Sequence, residues 1–256
     1  MSIETNLKKI VTIDSTAKIN SRLHTVFKLD FINSKKYIKI LELNKPFDNK
    51  LINTVIETGI ECINTFTFSL CYIGFNEIIY YLKPISKDEE NNGIEHEYNG
   101  RIQKMISILT SKLSATFYSK IIKYFQTENI TNIIPYWECK IIQFNNFNEV
   151  IEYINERTVY TLKNSKTLFI NHHLPDSQLS SKEAIKKIQS EKQINFNDDV
   201  SDNIKVGCII TYILTEFDKD IEFDNEIKTI KFIRKTPICQ NFNPLDIINI
   251  KFESLL

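Results

Sequence analysis

Asp30, Asn76 and Glu77 stand where a sequence has most reason to avoid polar groups. Asp30 closes the apolar run Val26-Phe27-Lys28-Leu29-Asp30, and Glu77 opens Glu77-Ile78-Ile79-Tyr80-Tyr81-Leu82. Both runs are aromatic and β-branched, so each reads as a strand with a carboxylate at its end. The stretch from Phe68 to Leu82 is two apolar runs joined by Gly74-Phe75-Asn76-Glu77, which predicts a hairpin with an irregular tip. A carboxylate at the edge of a buried sheet is unfavourable unless it is paired, hydrogen-bonded or metal-bound. Strands bringing Asp30, Asn76 and Glu77 together would make an acidic floor for metal ions, with one position altered, because Asn76 is an amide. On a plain strand Glu77 points away from Asn76, so it replaces the missing carboxylate only if the tip is irregular. Without such a floor, Asp30 is a turn-capping carboxylate and Glu77 a solvated tip residue.

Several elements must position these residues. His24 to Phe31 is the first strand, and residues 32–46 read as an irregular connection carrying Lys35, Lys36, Lys39 and Lys45. Asp48 is placed to cap a helix from Asn49 to Asn64, with Leu51, Ile52, Val55, Ile56, Ile60 and Ile63 at helical spacing. After the hairpin, residues 84–99 form a polar, acidic loop. Arg101 to Phe125 is a helix with Ile102, Met105, Ile106, Leu109, Leu113, Phe117, Ile121 and Tyr124 on one face. Trp137 to Phe144 reads as a strand and Asn148 to Arg157 as a short helix, while Thr158 to His173 shows no single period. Ser180 or Ser181 opens a further helix, with Glu183 helping to cap it. From Ile204 the pattern turns to strands, interrupted by the acidic stretch 215–226, which reads as a turn. The first half is therefore βαββαβ, the ferredoxin-like order, within an α+β chain.

Composition limits the alternatives. At 256 residues and 42% hydrophobic, the chain can bury a sizeable core. A net charge of +0 excludes a global basic signal for nucleic acid, though a local lysine face remains open. The five cysteines form no C-x-x-C pair, which predicts reduced, buried thiols in an intracellular protein rather than a disulfide frame or zinc site. No apolar run is long enough for a transmembrane helix, and the first residues do not read as a signal peptide. The cytoplasm is the expected compartment, with the nucleus and mitochondrion open. His172-His173 is adjacent rather than spaced by one helical turn and reads as a surface pair.

Three short segments, VFKLDF, LNKPFD and YIGFNEIIYYL, occur in one order and at matching separations that resemble the tRNA-His guanylyltransferase family of 3′–5′ nucleotide-adding enzymes. The likeness covers about residues 20–215 by element order. It implies a palm-like, ferredoxin-type core over residues 23–145, a lead of residues 1–22, and a helical and strand region over 146–256 packed on that core. It implies GTP or ATP as substrates, Mg²⁺ as cofactor, tRNA as partner and a homo-oligomer, with no membrane contact. Carried over by position, Asp30 falls on the first metal-binding aspartate and Phe31 on the glycine whose carbonyl reaches the metal. Phe31 would crowd that approach. Asn76 falls on the second metal aspartate, and Glu77 is retained. Asp30 and Glu77 are thus the candidate catalytic carboxylates, and Asp30, Phe31 and Asn76 the metal positions. Lys45 and Asp48 fall on the segment that meets the triphosphate, Lys28 on an arginine, and Arg157 and Asn164 on the later RNA-facing region. The resulting expectation is a diverged member that interacts with tRNA or nucleotide, its nucleotidyl transfer weak or lost, alone or beside an active paralogue. The alternatives are an active tRNA 5′-end nucleotidyltransferase and a non-catalytic interaction protein.

Overall fold

The computed structural model describes residues 17–125, 134–223 and 226–240. Its strands are β1 (His24–Ile32), β2 (Phe68–Ile73), β3 (Glu77–Leu82), β4 (Tyr136–Phe144), β5 (Cys208–Phe223) and β6 (Glu226–Gln240). Its α-helices are α1 (Ser34–Ile40), α2 (Asn49–Cys62), α3 (Lys87–Asn91), α4 (Ile102–Phe125), α5 (Phe147–His173), α6 (Ser181–Lys192), α7 (Phe196–Asp199) and α8 (Asp202–Lys205). One sheet runs β4-β1-β3-β2-β5-β6, and every neighbouring pair is antiparallel. Its first four strands have the ferredoxin order expected from βαββαβ, so the α+β reading holds. Beyond them β5 pairs with β2 only over Cys208 to Ile210 and then continues with β6 as a long two-stranded ribbon.

The central strands are largely apolar because both faces of the sheet are covered, and Lys28, Asp30 and Glu77 interrupt them towards the hairpin tip. Phe27, Leu29, Phe31, Ile78, Tyr80 and Leu82 face α2 and α4, meeting Val55, Ile56, Met105, Leu109, Leu113 and Phe117. Val26, Tyr72, Ile79 and Tyr81 take the opposite face and meet Val150 and Ile154 of α5. A third apolar cluster joins the end of α5 to α6, α7 and α8 through Phe169, Ala184, Ile188, Phe196 and Ile204, with Phe47 packed against it.

Helix starts follow the sequence closely where a side chain caps them. Asp48 accepts from Leu51 N at 3.0 Å at the start of α2. Ser180 and Glu183 form a capping box at α6. Elsewhere the structure differs from expectation. The connection after β1 is not irregular: α1 forms with only Tyr37 buried, too few apolar contacts to give a period. The loop at 84–99 contains α3, fixed by a Ser86–Glu89 capping box rather than by an apolar stripe. The short helix and the ambiguous segment after it are one helix, α5. Thr158, Thr161 and Ser165 occupy its inward positions, so its buried face lacks the apolar repeat that marks a helix. Of the acidic stretch expected as a turn, residues 215–223 lie in β5 and Glu226 opens β6; Phe217, Ile221 and Phe223 follow the strand period, with Lys219 breaking it. Ile204 belongs to α8, and β5 begins four residues later.

Gly207 makes the corner between α8 and β5. It adopts φ +84°, and a Cβ there would lie 2.3 Å from the Ile73 carbonyl oxygen. Gly207→Ala is expected to lower unfolding free energy by about 2 kcal/mol or more, since a left-handed non-glycine alone costs ~1–2 kcal/mol. Urea denaturation of the variant beside the parent checks this.

Candidate functional site

The hairpin tip is tighter than its sequence suggests. Ile73 pairs with Ile78, and Gly74 N donates to Glu77 O at 3.0 Å, leaving Phe75 and Asn76 at the corners. Asn76 O accepts from Phe31 N at 2.9 Å, which ties the tip to the end of β1. Asp30 and Glu77 are direct cross-strand partners, so their side chains share the α5 face. Glu77, rather than Asn76, is therefore the carboxylate the sheet register brings beside Asp30.

Glu77 is only 1% exposed and its charge is fully met. Arg157 on α5 grips it with both arms of its fork, Nε to Oε1 at 2.9 Å and Nη2 to Oε2 at 2.8 Å. Lys28 Nζ lies 3.3 Å from Glu77 Oε2 and also pairs with Asp30. Burial alone would lower the Arg157 pKa, but the hydrogen bonds and charge of Glu77 outweigh it and raise the value. The Arg157 guanidinium also stacks on Tyr160, 4.2 Å from the ring centroid. Gly74 lets the tip approach α5 closely, since a Cβ there would stand 2.9 Å from Thr161 Oγ1. Thr161 in turn bonds the Tyr72 hydroxyl at 2.9 Å.

Sequence reasoning missed this pairing. Arg157, expected to face RNA, gives its donors to Glu77. The available signal was the rule that a buried carboxylate needs a partner. Asn164 lies two turns further along α5, half-buried and outside this cluster.

A cleft opens on the other side of the tip, with an empty volume of about 900 Å³ counting its solvent-open mouth. Lys45, Asp48, Phe31 and Asn76 all border it, joined by Phe47, Phe75, Trp137 and Asn203. Asp48 is spoken for: its oxygens accept from Asn44 and from the start of α2. Phe31 borders the cleft from the sheet face opposite Asp30. Its ring points to the opposite face of the sheet and packs on Tyr37, Phe117 and Trp137 at centroid distances of 5.1, 5.1 and 4.9 Å.

The donor set can be tested against two divalent ions, which need shared, negatively charged oxygens. Asn76 is neutral, Glu77 is locked to Arg157, and Asp30 is paired with Lys28. Among the described residues, no group of three or more His, Cys, Asp or Glu side chains is arranged to hold a metal ion. These residues do not fit a two-metal floor. No helix among them is long and apolar enough to cross a membrane.

The family model for tRNAHis guanylyltransferase (Thg1) matches residues 7–145, more than half of the chain. The chain belongs to the Thg1 family. Solved structures share the fold of this Thg1-family chain. A bacterial tRNA(His) guanylyltransferase (Thg1)-like protein in complex with ATP gives a TM-score of 0.77 at 20% identity, over 100% of this chain and 97% of that one. Another such bacterial structure, in complex with GTP, gives 0.70 at 18% identity over 100% and 99%. The tRNA(His) guanylyltransferase from Saccharomyces cerevisiae gives 0.68 at 18% identity over 79% and 91%. No curated protein matches this Thg1-family chain.

Removing one partner of the buried pair should be strongly unfavourable. Arg157→Met is expected to destabilise the fold by ~3 kcal/mol, the low end for breaking a buried ion pair, because Lys28 still faces Glu77. The double variant Arg157→Met with Glu77→Gln should lose less than the sum of the two single losses, as coupled residues do. Urea denaturation of all three variants checks both expectations.

Proposed function

We propose that this chain is a Thg1-family protein that engages tRNA and a nucleotide while its own nucleotidyl transfer is weak or lost. The observation that carries this reading is the locked state of Glu77. With Asn76 neutral, the carboxylates beside Asp30 are its cross-strand partners Glu77 and Glu138; Arg157 holds Glu77 in a bidentate grip at 1% exposure, while Glu138 lies at the half-exposed edge paired with Lys140. Among the described residues, Asp30 and the half-exposed Glu138 then remain as acids on this face. When bound, Mg²⁺ in this family's chemistry would neutralise triphosphate charge and help to activate the attacking group. That stabilisation is worth several kcal/mol, and every 1.36 kcal/mol lost is tenfold in rate.

The remaining parts support binding. Lys45 stands exposed at the mouth of the cleft. Lys35, Lys36 and Lys39 are exposed on α1, whose Ser34 and Ile38 border the same cleft. A lysine group of this kind suits a phosphate backbone, and such binding weakens as salt rises. The ATP and GTP complexes of the bacterial relatives support a nucleotide as the small ligand.

Addition of labelled GTP to a tRNA 5′ end with ATP and Mg²⁺ tests the reading. The expected result is no addition above an Asp30→Ala control. Robust addition by the parent chain would establish an active enzyme instead. Asn76→Asp is expected to raise addition at least ~10-fold if the lost charge is the main defect. tRNA binding measured at rising salt should weaken steeply, and more shallowly after Lys35, Lys36 and Lys39 are changed to alanine.

A further inference from the structure

All five cysteines are free thiols, and the sheet gathers three of them in one place. Cys71 on β2 pairs with Ile210 of β5, and Ile210 pairs with Cys239 on β6. Cys208 stands two residues before Ile210, so it shares their face and lies diagonal to Cys239. Cys71, Cys208 and Cys239 all pack into the apolar cluster beneath α2 and α4.

The side chains of Cys208 and Cys239 are hydrogen-bonded to each other, Cys208 donating its S–H to the Cys239 sulfur. That bond draws the Cys239 pKa down against the opposing effect of burial. The same bond, together with burial, pushes Cys208 up. Burial raises the other three, Cys62 to about 11, Cys139 to about 12 and Cys71 well above its ordinary value. Cys239 is half-buried, whereas Cys208 is only 2% exposed. A thiol with added thiolate character, within reach of solvent and backed by a second thiol, is the setting in which oxidation is selective.

We propose that Cys239 and Cys208 form a reversible pair oxidised by hydroperoxides, with Cys239 the attacking thiol and Cys208 the resolving one. The Cys239 sulfur gives an electron pair to one peroxide oxygen, and the O–O bond breaks. The leaving hydroxide takes the Cys239 thiol proton and departs as water, which leaves a sulfenic acid on Cys239. The Cys208 sulfur then attacks the Cys239 sulfur, the S–O bond breaks, and the hydroxide leaves with the Cys208 proton as a second water. Two thiols lose two electrons to become a disulfide, and one hydrogen peroxide is reduced to two waters. Diagonal neighbours on paired strands stand about 7–8 Å apart, at the outer limit of disulfide reach. Closing the bond therefore draws the strands together where they end: Cys208 is the first residue of β5 and Cys239 the last but one of β6. A bond made against such resistance is readily reduced, which suits a switch rather than a permanent staple. Cys208 also lines the cleft beside the hairpin tip, so a change in its position reaches that surface.

Hydrogen peroxide added to the reduced full chain, followed by alkylation and peptide mass mapping, tests the pair. The expected product is a Cys208–Cys239 cross-link, about two mass units lighter than the two thiols and lost again with dithiothreitol. In the untreated parent, Cys239 should react with iodoacetamide at least ~10-fold faster than each of the other four cysteines. Both measurements are made on the parent chain, so neither depends on a variant that folds. Cys208→Ser is expected to leave a sulfenic acid on Cys239 that dimedone captures, while Cys239→Ser leaves Cys208 unmodified. A cross-link between other cysteines, or oxidation of Cys208 or Cys139 ahead of Cys239, overturns the proposal. So does a pair that stays reduced at peroxide levels that oxidise free cysteine.

Discussion

The bidentate pair between Arg157 and Glu77 is the interaction on which the site depends. It joins the hairpin tip to the middle of α5, where Glu77 is cut off from water and Arg157 is partly exposed. A carboxylate at 1% exposure cannot remain charged without such a partner. Its presence also decides what the floor can do. Glu77 spends its lone pairs on a fixed guanidinium, so they are not available to a mobile cation. Lys28 adds to this by lying between Asp30 and Glu77. The acids of the floor are thereby built into the fold, and the neutral Asn76 is left at the corner facing the cleft.

Much of the fold was legible because the central strands are unambiguous. Leu70–Ile73 and Ile78–Leu82 are continuous apolar runs, and α4 carries a regular buried stripe from Met105 to Ile121. Asp48 and Ser180 announced their helices by the same hydrogen bonds they make. The elements that were not legible lack an apolar period for stated reasons. α5 turns hydroxyls inward at Thr158, Thr161 and Ser165, where Thr161 meets Tyr72 and Ser165 bonds both its own helix and the Lys205 carbonyl. α1 and α3 bury almost nothing, and local capping or one tyrosine fixes them.

The site was legible in its membership and not in its pairing. Short segments placed Asp30, Lys45, Asp48, Asn76 and Glu77 near one another, and the structure keeps them around one hairpin tip. Strand register then separates them into two environments. Asp30 and Glu77 share the α5 face with Lys28, whereas Phe31 faces the opposite layer and borders the cleft with Lys45, Asp48 and Asn76. Arg157 is 80 residues from Glu77 in sequence, so no local pattern could assign the partner. Only the general requirement that a buried acid be matched pointed to one.

Two of the surfaces that border the cleft, the hairpin tip and α8, are carried by one rod. Its hairpin wall is fastened to α5 at Arg157 and Thr161, and its α8 wall is fastened to the same helix at Ser165 through the Lys205 carbonyl. Tyr72 closes the frame, with its hydroxyl bonded to Thr161 and donating to the Val206 carbonyl at 3.0 Å. A helix turn rises ~5.4 Å, so these anchor points fall within about two turns of a continuous helix. The gap between the walls is therefore set like the jaws of a fixed-gauge spanner. Any adjustment of the cleft's width therefore falls to the opposite side, where the Leu43–Asp48 connection lines it.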